Sequence, residues 1–303
     1  MDFLYFLESI RTPILDELML LITHLGEETF FLVTALLMFW CIDKYKGYYV
    51  LSVGFVGTIL SQFMKLWFRI PRPWVLDENF TVVDGAKAEA GGYSFPSGHS
   101  QNAVGTFGAI SSVMKQKWLK VICIAIAVLV PVSRMYLGVH TPLDVLVGSA
   151  LAAALVFVMK PLVCNNTKRN LPYVLAGMTA LAVGYVCYVS LFPFPKDVDA
   201  GNLASGTENA YTLLGALFGF LVVYIVDEKW LNFRTDAVWW VQILKLVLGL
   251  LVVLGVKSGL KVPLNLLFGE LAGRAVRYFL LVIVAGIVWP LSFKWFRGLG
   301  NKE

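Results

Sequence analysis

The chain has 303 residues, 58% hydrophobic and 15% charged, with a mean hydropathy of +0.73. Soluble domains carry about 25% charged and about 45–50% apolar residues, so the composition excludes a soluble globular protein in favour of a polytopic membrane protein. The net charge of +5 lies in small scattered groups, without a basic run or aromatic interleaving. That excludes a nucleic-acid surface and assigns the cations to loops between spans.

Residues 1–25 read as an N-terminal amphipathic helix in one or two pieces. Phe3, Leu4, Phe6 and Leu7 are apolar, Arg11-Thr-Pro13 interrupts, and the run Ile14–His24 carries two acids. That run is short of the ~20 residues a span needs, so it is expected to lie in the interface. Spans are expected at 28–43, 47–67, 98–114, 118–137, 142–163, 171–192, 209–227, 237–257 and 275–295. The fold class is therefore all-α, a polytopic transmembrane helical bundle of about nine spans. Residues 1–163 read as one core, and 164–303 as additional transmembrane helices without a legible motif.

Lysines and arginines concentrate in one set of loops: Lys44 and Lys46; Lys115, Lys117 and Lys120; Lys168 and Arg169; Lys229 and Arg234; and Lys294, Arg297 and Lys302. The alternate set holds Asp77, Glu78, Asp84, Glu89, Asp197, Asp199 and Glu208. The positive-inside rule makes the first set cytoplasmic. Within the expected spans, Lys245 is unusual and faces either a cavity or, by snorkelling, an interface. Gly215-Ala-Leu-Phe-Gly219 matches the small-xxx-small contact pattern; it reads as packing within the chain, with a homo-oligomer as the alternative. Cys41, Cys123, Cys164 and Cys187 lack metal spacing and read as free thiols.

Three polar clusters interrupt this apolar background, all on the extracytoplasmic side by the charge count. The first is Lys65-Leu-Trp-Phe-Arg-Ile-Pro-Arg72-Pro73. Its prolines end a helix and fix where Arg72 points; a guanidinium can hold two phosphate oxygens, while a lysine supplies a point charge. The second is Phe95-Pro-Ser97-Gly98-His99. Ser97 is a candidate N-cap, Gly98 leaves the backbone open to a ligand, and the helix N-terminus is a ready anion site. The third is Ser133-Arg134-Met-Tyr-Leu-Gly-Val-His140-Thr-Pro-Leu-Asp144. Thr141, Pro142 and Asp144 form a capping box. Asp144 also stands one turn beyond His140, within reach to orient its ring and free the other nitrogen for attack. Two histidines, a carboxylate, three cations and a helix N-terminus are the inventory for phosphoryl transfer through a histidine nucleophile.

The pattern Lys-x6-Arg-Pro, Pro-Ser-Gly-His, Ser-Arg-x5-His-x3-Asp resembles the signature of the type 2 phosphatidic acid phosphatase superfamily. These are membrane lipid phosphate phosphatases that share a helical core with vanadium haloperoxidases. The resemblance covers roughly residues 14–163, and every signature position is filled. It implies His140 as the nucleophile that becomes phosphohistidine, Asp144 as the residue that orients it, and His99 as the acid that protonates the leaving alkoxide. It implies Lys65, Arg72, Ser97, the Gly98 backbone N–H and Arg134 as ligands of the phosphoryl oxygens. No metal or other cofactor is implied, and His24 stands apart. The expected partners are a lipid phosphate substrate and membrane lipids. The length and C-terminal extension resemble the sphingosine-phosphate phosphatase branch and related bacterial proteins. Phosphoryl transfer to an acceptor and a non-enzymatic transporter are the competing readings.

Overall fold

The computed structural model describes residues 1–88, 90–165 and 167–300, so Glu89 and Lys302, both used in the charge count, lie outside the described residues. Among the described residues all regular structure is helical. The helices are α1 (Asp2–Ser9), α2 (Pro13–His24), α3 (Glu28–Leu37), α4 (Lys44–Phe68), α5 (Pro73–Leu76), α6 (Gly98–Val113), α7 (Lys117–Tyr136) and α8 (Pro142–Cys164). They continue with α9 (Thr167–Leu191), α10 (Ala200–Val226), α11 (Trp239–Gly259), α12 (Lys261–Phe268), α13 (Glu270–Ile283), α14 (Trp289–Leu291) and α15 (Phe293–Gly300). Single π-helical turns at Met38–Ile42, Asp227–Leu231 and Val284–Val288 extend α3, α10 and α13.

The all-α bundle matches the sequence reading, with two differences in how spans are counted. Seven helices are long and apolar enough to cross a membrane, or eight if the pair Pro13–His24 and Glu28–Ile42, bent by 50°, counts as one span. The expected interfacial run 14–24 and the expected span 28–43 thus share one bent element. The expected span at 98–114 is the 16-residue α6, too short for that criterion. The expected loop 258–274 holds the hairpin of α12 and α13; Gly269, at φ 78°, makes the turn. α10 begins before its apolar part, because Asp199 caps it through the Asn202 N–H at 2.7 Å.

The chain forms two compact units. The first comprises Met1–Leu32, Val53–Lys160 and Phe194–Gly206. Its helix starts follow local chemistry: the Thr12 side chain caps α2, and Pro13, Pro73 and Pro142 open their helices where no N–H is needed. Val83, Ala86 and Ala90 of the 74–94 loop pack with Tyr136, Leu137 and Val139, and Leu15, Met19 and Leu20 of α2 lie against them. Arg11 ties this layer down, donating to the carbonyls of Tyr136 (3.1 Å) and Thr81 (2.9 Å). The turn after α7 is therefore held on both sides.

The second unit comprises Val33–Ser52, Pro161–Pro193 and the chain from Thr207 onward. Gly215 and Gly219 pack α10 against α13: a Cβ at Gly215 would lie 1.9 Å from the Ala275 carbonyl oxygen. The small-residue pattern is thus used within the chain. A buried ion pair joins Lys44 Nζ to Asp227 Oδ2 at 2.7 Å, and Phe233 N–H donates to the other carboxylate oxygen at 3.0 Å. All four cysteines are free.

Candidate active site

Three helix ends of the first unit deliver the side chains singled out by sequence. α4 stops at Phe68, where Arg69 takes a left-handed conformation at φ 51°. Lys65 occupies its last turn and Arg72 the N-cap of α5; both are buried. Arg72 is held by carbonyls: Nη2 donates to Gly91 at 2.7 Å, Nε to Gly92 at 3.1 Å and Nη1 to Val139 at 3.0 Å. The same Nη1 lies 2.8 Å from His140 Nε2. Lys65 Nζ donates to the Tyr93 carbonyl. Among the described residues, neither Lys65 nor Arg72 forms an ion pair with a carboxylate.

The second end is the start of α6. Ser97 is its N-cap, and its Oγ accepts from Ser100 N at 3.4 Å and from Ser100 Oγ at 2.9 Å. A Cβ at Gly98 would meet nothing within 4 Å, so the first residue of the helix is uncrowded on its Cβ side. At Gly148, by contrast, a Cβ would lie 2.6 Å from the Ser97 oxygen, so α8 packs directly on this cap. His99 follows, and its Nε2 is buried without a hydrogen bond among the described residues.

The third end joins α7 to α8. Arg134 is fully buried, with Nη1 donating to Thr23 Oγ1 at 2.7 Å. Ser133 Oγ donates back to Val130 O at 2.7 Å, a bond within its own helix. Gly138 makes the turn at φ 80°. The capping box forms as its sequence predicts: Asp144 Oδ2 accepts from Thr141 N at 2.8 Å, and Thr141 Oγ1 from Asp144 N at 3.3 Å. His140 Nδ1 is 3.5 Å from Asp144 Oδ2, beyond a normal hydrogen bond. Ser94 is closer to the carboxylate, its Oγ donating to the same oxygen at 2.6 Å, and it lies 3.4 Å from His140 Nδ1. Asp144 is thus first a cap and a partner of Ser94, with His140 just beyond its hydrogen-bond reach.

The ring of His140 is buried, and burial holds its pKa well below the usual histidine range; the positive charges of Arg72, Arg134, Lys65 and His99 push the same way. Both effects favour the neutral ring, which has one nitrogen toward Asp144 and Ser94 and the other toward Arg72. The eight residues singled out from sequence are thus gathered in one unit. Arg72, His140 and Asp144 touch in series, the Ser97 N–H donates to the Asp144 carbonyl at 3.0 Å, and Lys65, Arg134 and His99 reach His140 through their fields.

The sequence that carries this arrangement is similar to known proteins. Residues 45–168 match the family model for the PAP2 superfamily, and residues 211–302 match that for the transmembrane extension of PAP2 superfamily phosphatases. The chain is 34% identical over 164 residues to phosphatidylglycerophosphatase B of Bacillus subtilis (strain 168), covering 50% of this chain and 76% of that protein. The chain belongs to the PAP2 superfamily. It is also 30% identical to undecaprenyl-diphosphatase of Sulfolobus acidocaldarius, over 47% of this chain and 68% of that protein. With sphingosine-1-phosphate phosphatase 1 of Mus musculus it shares 25% identity, over 79% of this chain and 58% of the mouse protein. These relatives are phosphatases, and this PAP2 protein is a hydrolase of the same class carried in the membrane.

Two groups in this PAP2 site were not legible in sequence. Ser94 bridges toward His140 and Asp144 but stands three residues before Ser97 in an irregular loop, where no period singles out a serine. Thr23 holds Arg134 across 111 positions of sequence. Gly91 and Gly92 read as a flexible part of the 74–94 loop; their carbonyls instead grip Arg72. The match at 211–302 likewise covers a stretch with no readable motif.

Proposed function

We propose that the protein hydrolyses a lipid phosphate monoester or pyrophosphate through a phosphohistidine on His140, without a metal, on the extracytoplasmic side of the membrane. The relatives named for phosphatidylglycerophosphate, undecaprenyl diphosphate and sphingosine-1-phosphate all take a phosphate on a lipid tail, and a charged site among apolar helices suits that class. Residues 1–163 form the catalytic core in this reading, and 164–303 complete the bundle around it.

The observation that carries the reading is the pairing of Arg72 Nη1 with His140 Nε2 at 2.8 Å beside a second buried cation, Lys65, that also lacks a carboxylate. A guanidinium bonded to a neutral ring nitrogen keeps its charge uncompensated, and a phosphate oxygen is the stronger partner for it. On binding, Arg72, Lys65, Arg134, the Ser97 hydroxyl and the Gly98 N–H take the phosphoryl oxygens. His140 Nε2 forms the P–N bond as the P–O bond to the lipid breaks, and His99 gives its proton to the departing alkoxide. Asp144 and Ser94 steady the ring, which gains positive charge as it is phosphorylated. Water then attacks phosphorus, His99 accepts its proton, the P–N bond breaks, and inorganic phosphate leaves.

The test is phosphate release in detergent with EDTA across phosphatidic acid, phosphatidylglycerol phosphate, a polyprenyl pyrophosphate and a sphingoid base phosphate. Release from at least one of these, its loss in His140→Ala, and a phosphorylated peptide at His140 trapped in His99→Ala are expected. Full activity in His140→Ala, or activity only with added metal, would sink the mechanism. Transfer of the phosphoryl group to an added acceptor in place of release would mark a phosphotransferase.

A further inference from the structure

The second unit holds a basic cavity of about 630 Å³ that the phosphatase reaction does not use. Arg234 and Asp236 of the turn before α11 line one side, and Lys294 and Arg297 of α15 line the other. Three cations against one carboxylate leave two positive charges in excess. Arg234 Nε is paired with Asp236 Oδ1 at 3.0 Å, but Arg297 Nε is buried and has no hydrogen-bond partner among the described residues.

The rim is built, not loose. Gln242 Nε2 donates to Thr235 O at 2.7 Å, Lys245 Nζ to the same oxygen at 3.0 Å, and Thr235 Oγ1 to Ile42 O at 3.2 Å. This resolves Lys245, the cation expected to face a cavity or snorkel: it is buried, anchors the turn, and lies over the Phe293 ring at 4.4 Å. Phe293 also meets Phe233 edge-on at 5.5 Å, which fixes α15 beside the turn. α11 opens at the cavity from Val238 without a side-chain cap, so its first N–H groups add to the positive field.

The surroundings say what kind of anion fits. Trp230, Trp239 and Trp295 are 73%, 75% and 62% exposed, as tryptophans are where a membrane meets water. Below the cavity, Ile243, Val247, Leu251 and Leu254 form an exposed stripe along α11 at helical spacing. Cations at headgroup depth above an apolar stripe fit a phosphate that carries acyl chains. We propose that this cavity binds the headgroup of an anionic phospholipid, with the chains along α11, as a site distinct from the phosphatase residues.

The test uses the full chain in nanodiscs of phosphatidylcholine with and without phosphatidylglycerol, counting retained lipids by native mass spectrometry. Phosphatidylglycerol should be enriched on the wild type, Arg297→Gln should weaken its retention about fivefold, and Arg234→Gln/Arg297→Gln should abolish the enrichment. Lys168→Gln/Arg169→Gln removes equal charge from a second basic cavity and should leave the enrichment intact; so should excess vanadate, which competes at the phosphatase site. Arg297→Lys, which keeps the charge, should retain most of it. Equal retention by Arg234→Gln/Arg297→Gln and wild type, equal loss in Lys168→Gln/Arg169→Gln, or displacement by vanadate would overturn the proposal. So would stabilisation of the wild type by inorganic phosphate in pure phosphatidylcholine, with none in Arg234→Gln/Arg297→Gln, which would mark a free-anion site. Phosphate release is not read in this experiment, so its outcome is separate from that of the proposed reaction.

Discussion

The two units bury positive charge in opposite ways. In the second unit Lys44 sits 2.7 Å from the fully buried Asp227, which also takes the Phe233 N–H; the charge is neutralised by the protein itself. In the first unit Lys65 and Arg72 are just as buried, yet their partners are the neutral carbonyls of Tyr93, Gly91, Gly92 and Val139 and the ring of His140. Among the described residues the carboxylate beside them, Asp144, is turned toward Ser94 and Thr141. A low-dielectric interior penalises charge without a counterion. The first pattern is what a stable fold does with an ion pair; the second is what the proposed reaction asks of an anion receptor, whose counterion would arrive with the substrate.

The largest expected effect is that of His140→Ala, which should lower phosphate release by about 10⁴-fold or more while leaving the thermal midpoint near that of wild type. Retained activity would remove the receptor reading altogether. Lys44→Ala comes next and should act on stability alone. Leaving Asp227 buried without its partner costs about 3–5 kcal/mol, readable in chemical denaturation. Replacing the pair with Met and Leu should restore most of that loss, and a double variant as unstable as Lys44→Ala would contradict the account.

Arg72→Ala should do the reverse of Lys44→Ala. Release should fall about 10²–10³-fold, and the stabilisation by vanadate expected of wild type should disappear. Ser94→Ala removes one hydrogen bond to a charged group, worth about 1.5–3 kcal/mol. Release should fall roughly 10–150-fold, mainly in kcat; an unchanged kcat would leave Ser94 a loop residue only.

The smallest effect is a shift in pH dependence. Because burial and then Arg72 depress the His140 pKa, its nucleophilic neutral form persists as pH falls past the usual histidine value of about 6.5. The acid limb of kcat/KM should therefore lie below that value. Arg72→Gln removes a neighbouring positive charge, raises the pKa, and should move the limb to higher pH. A shift to lower pH would contradict the placement of Arg72 against the ring.

Much of the site was readable from local spacing because its parts sit at helix ends. Proline at the first helical position, Ser97 as a cap and the reciprocal Thr141–Asp144 bonds each depend on residues within four positions, and all three appear in the structure. Lys65, Arg72, Ser97, Gly98, His99, Arg134, His140 and Asp144 stood out because polar groups at the ends of apolar runs need a reason. Ser94 and Thr23 did not, because a small hydroxyl in a loop or amphipathic helix has many ordinary uses. Their bonds to Asp144 and Arg134 span 50 and 111 positions of chain.

By itself, the sequence determined that this is a helical membrane protein with three polar clusters at helix ends, since both conclusions follow from hydropathy and short-range geometry. Only the tertiary structure decided which groups neutralise which charges: that Arg72 is held by loop glycine carbonyls, that Asp144 caps before it orients, and that Lys245 anchors a turn. Those choices depend on contacts between segments far apart in the chain. The energy of a buried charge is set by its neighbours in space, and the order of residues does not name them.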